Sequence, residues 1–444
     1  MLALAERAGL RELADEHLTL RTDKGANAGL KVSSLVVGMI AGADSIDDMA
    51  LLRHGGMGRM FARAYAPSTL GSFLRAFTFG HIRQLDAVAS RFLLALAGLA
   101  GLIAADDETD TSHYALLDVD DTVIEVHGYA KQGAGFGYTR IRGINALLAT
   151  LSTAGSAPVI VAQRLRKGAC NSARGAKRLV GDAVKTSRRL LGPSRRLLVR
   201  MDSAYYGRGA VHAALAGGAA VSVTIRMDNR IRAAIASLVE ESWTPIEYTN
   251  AIFDEESGTW LSRAEVAETG FTAFAAQRKA EHVEGRLVVR RIPDLNAEKH
   301  RAAGQDTLFN TWRFHAFFTT ADPQLLDTVA ADKTHRGHAV IEQVHADLKN
   351  SALAHLPSGV FTANAAWLVF AVIAFNITRA AGALTGTDLA RAMTATVRRK
   401  LIHVPARAAT RGRRLVLHLP RAWPWQDAWS DLFDRLADPP STAS

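Results

Sequence analysis

Three places in the chain put oxygen donors where they could hold hard cations. The first is Leu117-Asp118-Val119-Asp120-Asp121-Thr122, three acids in four positions after an apolar run. Like charges this close repel unless a cation or solvent separates them. Strand alternation predicts Asp118 and Asp120 on one face and Asp121 on the other. The second is Asp202, which follows the apolar Leu197-Leu198-Val199 at the expected C-terminal end of another strand, where open α/β sheets tend to bind ligands. The third is Glu342. On one continuous helix, His335, His338, Glu342, His345 and Lys349 would share a polar, partly cationic face, with Ile341, Val344 and Leu348 on the buried side.

Two aspartates and a glutamate suit a pair of Mg²⁺ or Mn²⁺ ions, which favour oxygen and keep positions open for water and phosphate. Two such ions can activate an attacking oxygen and stabilise the leaving 3′ oxygen of a phosphodiester. Lys349, two turns beyond Glu342, could fix a phosphate as a point charge. The histidines match no H-E-x-x-H spacing, and the single cysteine, Cys170, supports neither a thiolate zinc cluster nor an internal disulfide. Gly128 to Gly137 lacks the phosphate-loop pattern and reads as a hairpin between strands.

The elements that must position these groups alternate in type. Residues 1–105 read as helical, with Leu70, Phe73, Leu74 and Phe77 at helical spacing after Pro67, and Arg75, Arg83 and Arg91 off the apolar stripe. An acidic stretch, Ala104 to Thr111, precedes strands expected over Tyr114–Val119, Ile141–Leu151 and Pro158–Ala162. A basic helix from about Ser172 to Leu191 follows, then a strand over Arg196–Met201, a helix over Gly209–Ala216 and a strand over Ala219–Ile225. This is an α/β order. Residues 227–322 read as a β-rich insertion, with strands over Ser242–Thr249, Arg286–Ile292 and Trp312–Thr320, before helical sequence resumes near Asp327. The apolar run Ala365–Phe375 falls short of the ~20 residues that span a bilayer and is expected to be a buried helix. A net charge of +10 points to polyanionic partners. The tail, 401–444, is basic and carries Trp423, Trp425 and Trp429.

Taken together these residues resemble the DDE transposases of bacterial insertion sequences, specifically the family numbered thirteen-eighty, a relative of the insertion-sequence-four group. The resemblance covers nearly the whole chain. It rests on Ala41 to Asp48, Tyr65 to Arg75 and Phe77 to His81 in the N-terminal part, and on the acid motifs. Leu117 to Thr122 is similar to the first-aspartate motif, in which the ligand stands two residues before a threonine; this implies Asp120, with Asp118 as the alternative. Arg200-Met201-Asp202-Ser203-Ala204-Tyr205 is similar to the second. Glu342 and Lys349 match the spacing of the Y-R-E-K signature, whose tyrosine and arginine positions hold His335 and His338 here.

The resemblance implies an α/β fold with a ribonuclease-H-like core (106–226 and 323–400), a β-rich insertion at 227–322 and a helical N-terminal DNA-binding domain at 1–105. It implies a catalytic and metal-binding set of Asp120, Asp202 and Glu342 holding two Mg²⁺ ions, with Mn²⁺ as a substitute. DNA contacts would come from Lys349, His338, His335, Arg200 and Tyr205. The expected activity is cleavage and strand transfer at terminal inverted repeats, by a synaptic homodimer acting on double-stranded element DNA and target DNA in the bacterial cytoplasm at the nucleoid, with no membrane. Relatives stack a tryptophan of the insertion on a flipped base, which makes Trp243, Trp260 and Trp312 candidates. The alternative is a catalytically silent protein that only occupies the repeats.

Overall fold

The computed structural model of the chain describes residues 1–20, 23–59, 61, 64–103, 113–254, 259–293, 312–412 and 414–437, with only the backbone described for 248–254, 259–262 and 437. The acidic stretch at 104–111 and the final residues lie outside them.

The centre is one ten-stranded sheet, β1 (Ala115–Glu125), β2 (Gly135–Phe136), β3 (Arg142–Ser152), β4 (Val159–Lys167), β5 (Leu197–Met201), β6 (Ala220–Thr224), β7 (Thr244–Asp254), β8 (Thr259–Ala273), β9 (Val283–Pro293) and β10 (Trp312–Thr319). Its order is β2-β3-β1-β5-β6-β10-β9-β8-β7, with β4 on the outer side of β3. β1, β3 and β4 pair antiparallel, whereas β1, β5 and β6 run parallel. Parallel neighbours need a crossover. Helix α6 (Ala176–Leu191) carries the chain from β4 to β5, and α7 (Arg208–Ala216) carries it from β5 to β6. Gly175, at φ 82°, supplies the left-handed residue from which α6 starts, so the helix begins later than the expected Ser172.

Strand β1 runs past the acids to Glu125 and does not end at Val119. The acids are tolerated within the strand because two of them have cationic partners, described below. The segment 227–322 supplies α8 (Asn229–Ala236) and β7 to β10, and these strands continue the central sheet through the antiparallel β6–β10 pair. Its longest strand, β8, was not expected from its sequence, in which Glu265 and Glu268 interrupt the apolar pattern. Both acids sit beside arginines of β9: Glu268 accepts from Arg286 at 2.6 Å, and Glu265 pairs with Arg291. Ala264, Val266, Phe271 and Ala273 of β8 are buried, and the cross-strand ion pairs accommodate the acids between them.

Helices α1 (Leu2–Arg7), α2 (Leu10–His17), α3 (Ala28–Ile40), α4 (Pro67–Arg75) and α5 (Phe79–Ala100) form the N-terminal part. After the sheet come α9 (Thr328–Arg336), α10 (Val340–Lys349) and α11 (Phe361–Leu384). Helix α11 contains the expected buried run. It is long and apolar enough to cross a membrane, and it is buried here along nearly its whole length. Asn376 fastens it to β4, accepting from the Ile160 N–H at 3.0 Å and donating to the Ile160 carbonyl at 2.9 Å. Leu35, Phe92, Leu148 and Phe370 belong to one buried cluster, so N-terminal helices, sheet and α11 share a core.

Candidate functional site

Parallel pairing brings the aspartates together. The β1–β5 register matches Asp118 with Arg200 and Val119 with Met201, which sets Asp120 beside Asp202 where β5 ends. Asp202 caps the turn Ser203–Tyr205, its Oδ1 accepting the Ala204 N–H at 2.8 Å.

The four acids then divide into two kinds. Asp118 is buried and held by Arg200, whose Nε and Nη2 donate to its two oxygens at 2.6 and 2.7 Å. His338 Nδ1 adds a contact at 2.9 Å. Asp121 faces the other way, as alternation predicts. It accepts from Asn145 and from the Tyr205 hydroxyl, and Arg166 Nη2 lies 2.9 Å away, with both members of that ion pair buried. Asp120 and Asp202 have no arginine or lysine partner among the described residues. Burial, with the charges of Asp121 and Asp202 adding to it, pushes the Asp120 carboxyl up to about 7. Asp202 is raised as well, by burial first and then by Asp121. Both shifts describe carboxylates short of positive charge.

The expected single helix from His335 to Lys349 is broken. His335 lies on α9, a 3-10 turn spans Gly337–Ala339, and α10 starts at Val340. Arg200 fills the break: it donates to the Thr334 carbonyl, and a Cβ on Gly337 would stand 2.8 Å from its Nη1. His335 therefore points away from the aspartates. Its Nδ1 meets Ser222 Oγ at 2.8 Å and its Nε2 meets Thr224 Oγ1 at 2.9 Å. The ring stacks on Phe317 with centroids 4.1 Å apart, and burial lowers its pKa to about 3. Neither ring nitrogen is left for a phosphate.

Around Glu342 the polar face does turn toward the acids. His345 Nδ1 lies 3.8 Å from Asp120 Oδ2 and His338 touches Asp118. Burial, with Lys349 second, lowers His345 to about 4, so the Asp120 contact is not an ion pair at neutral pH. Glu342, spaced between the two histidines, is exposed. Lys349 is exposed at the end of α10. Among the described residues no three His, Cys, Asp or Glu side chains converge to a metal-holding group. The Nε2 atoms of His338 and His345 are buried without a hydrogen-bond partner among the described residues. The two under-compensated carboxylates are oxygen donors of the kind a hard divalent cation with water ligands takes.

Several groups of the site carried no sequence signal strong enough to single them out. Asn145 and Arg166 join Asp121 in a buried network, with Arg166 Nε donating to Asn145 Oδ1 at 2.9 Å. Arg166 is one of three cations in the second half of Val159–Lys167, so its type alone did not set it apart. Arg200 and Tyr205, expected at the DNA, are buried in the support of Asp118 and Asp121. Trp243 and Trp312 enclose Arg291, at 4.3 and 4.4 Å from its guanidinium carbon to the ring centres. The Trp260 side chain lies outside the described residues. Of the N-terminal arginines, Arg83 is paired with Asp86 at 2.9 Å and Asp182 at 3.3 Å.

Comparison with known proteins gives one family. The family model described as "Transposase DDE domain group 1" matches residues 2–441. No curated protein matches the chain.

Proposed function

The chain belongs to the family Transposase DDE domain group 1, and from that membership we propose a DNA-cutting and DNA-joining enzyme whose metal seat is Asp120, Asp202 and Glu342. The family implies a metal-dependent reaction on DNA. The observation that carries the residue assignment is the pair Asp120, on β1, and Asp202, just past the end of the parallel β5, both partly buried and without an arginine or lysine partner among the described residues. Asp118 is the weaker choice because Arg200 occupies both of its oxygens.

Mg²⁺ or Mn²⁺ held there supplies Lewis-acid activation of an attacking oxygen and charge stabilisation at the leaving 3′ oxygen. The protein's own groups do the positioning. Arg200 ties Asp118 on β1 to Thr334 at the α9–α10 break, which fixes the height of α10 over the sheet. Tyr205 and Arg166 lock Asp121, and so fix the β1 backbone that aims Asp120. His338 and His345 flank Glu342, and a shift of α10 toward the aspartates would bring its carboxylate to the same seat. Lys349 on that helix holds a DNA phosphate as a point charge.

The strand order β4-β3-β1-β5-β6, with its antiparallel and parallel pairings, supports a ribonuclease-H-like core. We read the N-terminal helices as the DNA-binding part, and the reaction as cut-and-paste transposition at terminal inverted repeats by a synaptic homodimer, of the kind carried out by the thirteen-eighty family. The net charge of +10 supports a phosphate-rich partner. A second reading, a silent protein that only occupies the repeats, draws support from the exposure of Glu342.

Incubating the protein with Mg²⁺ or Mn²⁺ and a labelled duplex carrying the inverted repeat of its own gene separates the two. A nick at the repeat boundary, followed by hairpin or joined products, is expected. Binding without cleavage in either metal would favour the silent reading.

A further inference from the structure

The segment between β1 and β3 carries three of the five exposed aromatic side chains among the described residues: Tyr129 at 94 %, Phe136 at 66 % and Tyr138 at 70 % exposure. Rings of this size are normally buried, and a cluster left in solvent marks a contact surface. The backbone beneath them is fastened. The Gln132 N–H donates to the Gly359 carbonyl at 2.9 Å, the Gly168 N–H donates to the Gly133 carbonyl at 2.9 Å, and the Phe361 N–H donates to Gln132 Oε1 at 3.1 Å. Phe136 pairs with Arg142 in the β2–β3 ladder. The glycines allow this close seating: a Cβ on Gly133 would meet the Phe361 ring at 2.6 Å, and one on Gly137 would meet the Gly168 carbonyl at 2.7 Å. The segment is a strap clamped to the body with its rings outward.

Its position and charge select the occupant. The strap follows β1, the strand that bears Asp120, and partial burial first, then the charges of Asp121, Asp120 and Asp202, raise the pKa of the Tyr138 hydroxyl. From Val126 to Arg142 there is no acid, while Lys131, Arg140 and Arg142 are cationic, and Arg142 lies 5.3 Å from the Tyr129 ring centre. Cations interleaved with exposed aromatic faces suit nucleic acid better than an aliphatic protein surface, because every base offers a π-face and every linkage a negative charge. Trp243 and Trp312, by contrast, each already carry the guanidinium of Arg291 against the ring.

We propose that this strap is a base-stacking platform, in which Tyr129, Phe136 and Tyr138 hold bases that leave the duplex beside the cleavage site. The proposal rests on the transposase function argued above. It assigns the strap a positioning role: splayed bases held on fixed rings present the phosphodiester to the carboxylates, and the stacking is tolerant of sequence.

The test uses the full chain and a repeat-end duplex with 2-aminopurine at the base on either side of the cut. Wild type should bind, cleave, and change the probe's fluorescence. Phe136→Ala/Tyr138→Ala should cut roughly tenfold more slowly and lose most of the fluorescence change, as expected for lost base–aromatic stacking. Its thermal midpoint should stay unchanged, and Tyr138→Phe, which keeps the ring, should behave as wild type. A double variant with wild-type fluorescence and cleavage overturns the platform and leaves the transposase reading standing. A wild-type protein that neither binds nor cuts the duplex overturns that reading, and the platform with it.

Discussion

Removing charge from Asp118 and from Asp120 should have opposite consequences, although the two stand two residues apart on one strand. Asp118→Asn leaves the buried Arg200 without its counter-charge and should cost about 3–5 kcal/mol of stability. Asp120→Asn removes a carboxylate that burial already disfavours, so its unfolding midpoint should hold or rise while cleavage is lost. Thermal unfolding of both variants checks this, and equal destabilisation would contradict the division of the acid cluster. The existence of that cluster was legible in the sequence, as was the turning of Asp121 to the opposite face. Which acid was free was not legible, because the answer lies in Arg200 and Arg166, cations contributed by strands far away in the chain. His335 illustrates the same limit. Its spacing put it on the helical face of Glu342, and the turn at Gly337 rotated it onto Phe317.

Among the elements, the strap depends on backbone approaching backbone. A Cβ on Gly168 would run into the carbonyls of Gly143 and Gly135, neither of which can yield without parting β2 from its neighbours. Gly168→Ala should therefore loosen the strap. Hydrogen exchange over residues 128–141 should rise well before the rest of the sheet is affected. Unchanged protection there would show that the strap is not held in this way. Glycine richness in this stretch was readable as a hairpin, whereas its close packing against Gly359 and Phe361 was not, since it involves a partner more than two hundred residues on. Strand β8 shows the converse. Its acids obscured the period of two, and only the arginines of β9 account for them.

For the whole molecule, the shared core makes the N-terminal helices structural as well as a proposed DNA-binding part. Helix α11 is mostly apolar and buried along nearly its whole length, and α3, α5 and β4 pack against it. Heating should give one unfolding transition, and a chain lacking residues 1–105 should fail to stay in solution, because α11 would be uncovered. Two separate transitions, or a soluble and folded remainder, would contradict the single core. The helical start, the α/β middle and the buried run near Phe370 were each readable from periodicity. The continuity of 227–322 with the central sheet was not, since strand pairing between β6 and β10 leaves no local pattern.

The central claim is that Asp120 and Asp202, with Glu342, form a metal seat, and Mn²⁺ binding followed by electron paramagnetic resonance tests it most directly. With the repeat duplex bound, wild type should bind Mn²⁺ saturably. Asp120→Asn, Asp202→Asn and Glu342→Gln should each weaken that binding tenfold or more, roughly the 1.4 kcal/mol expected at least for one lost ligand, while the surface control Glu247→Gln leaves it intact. Undiminished Mn²⁺ binding in the two aspartate variants would contradict the account.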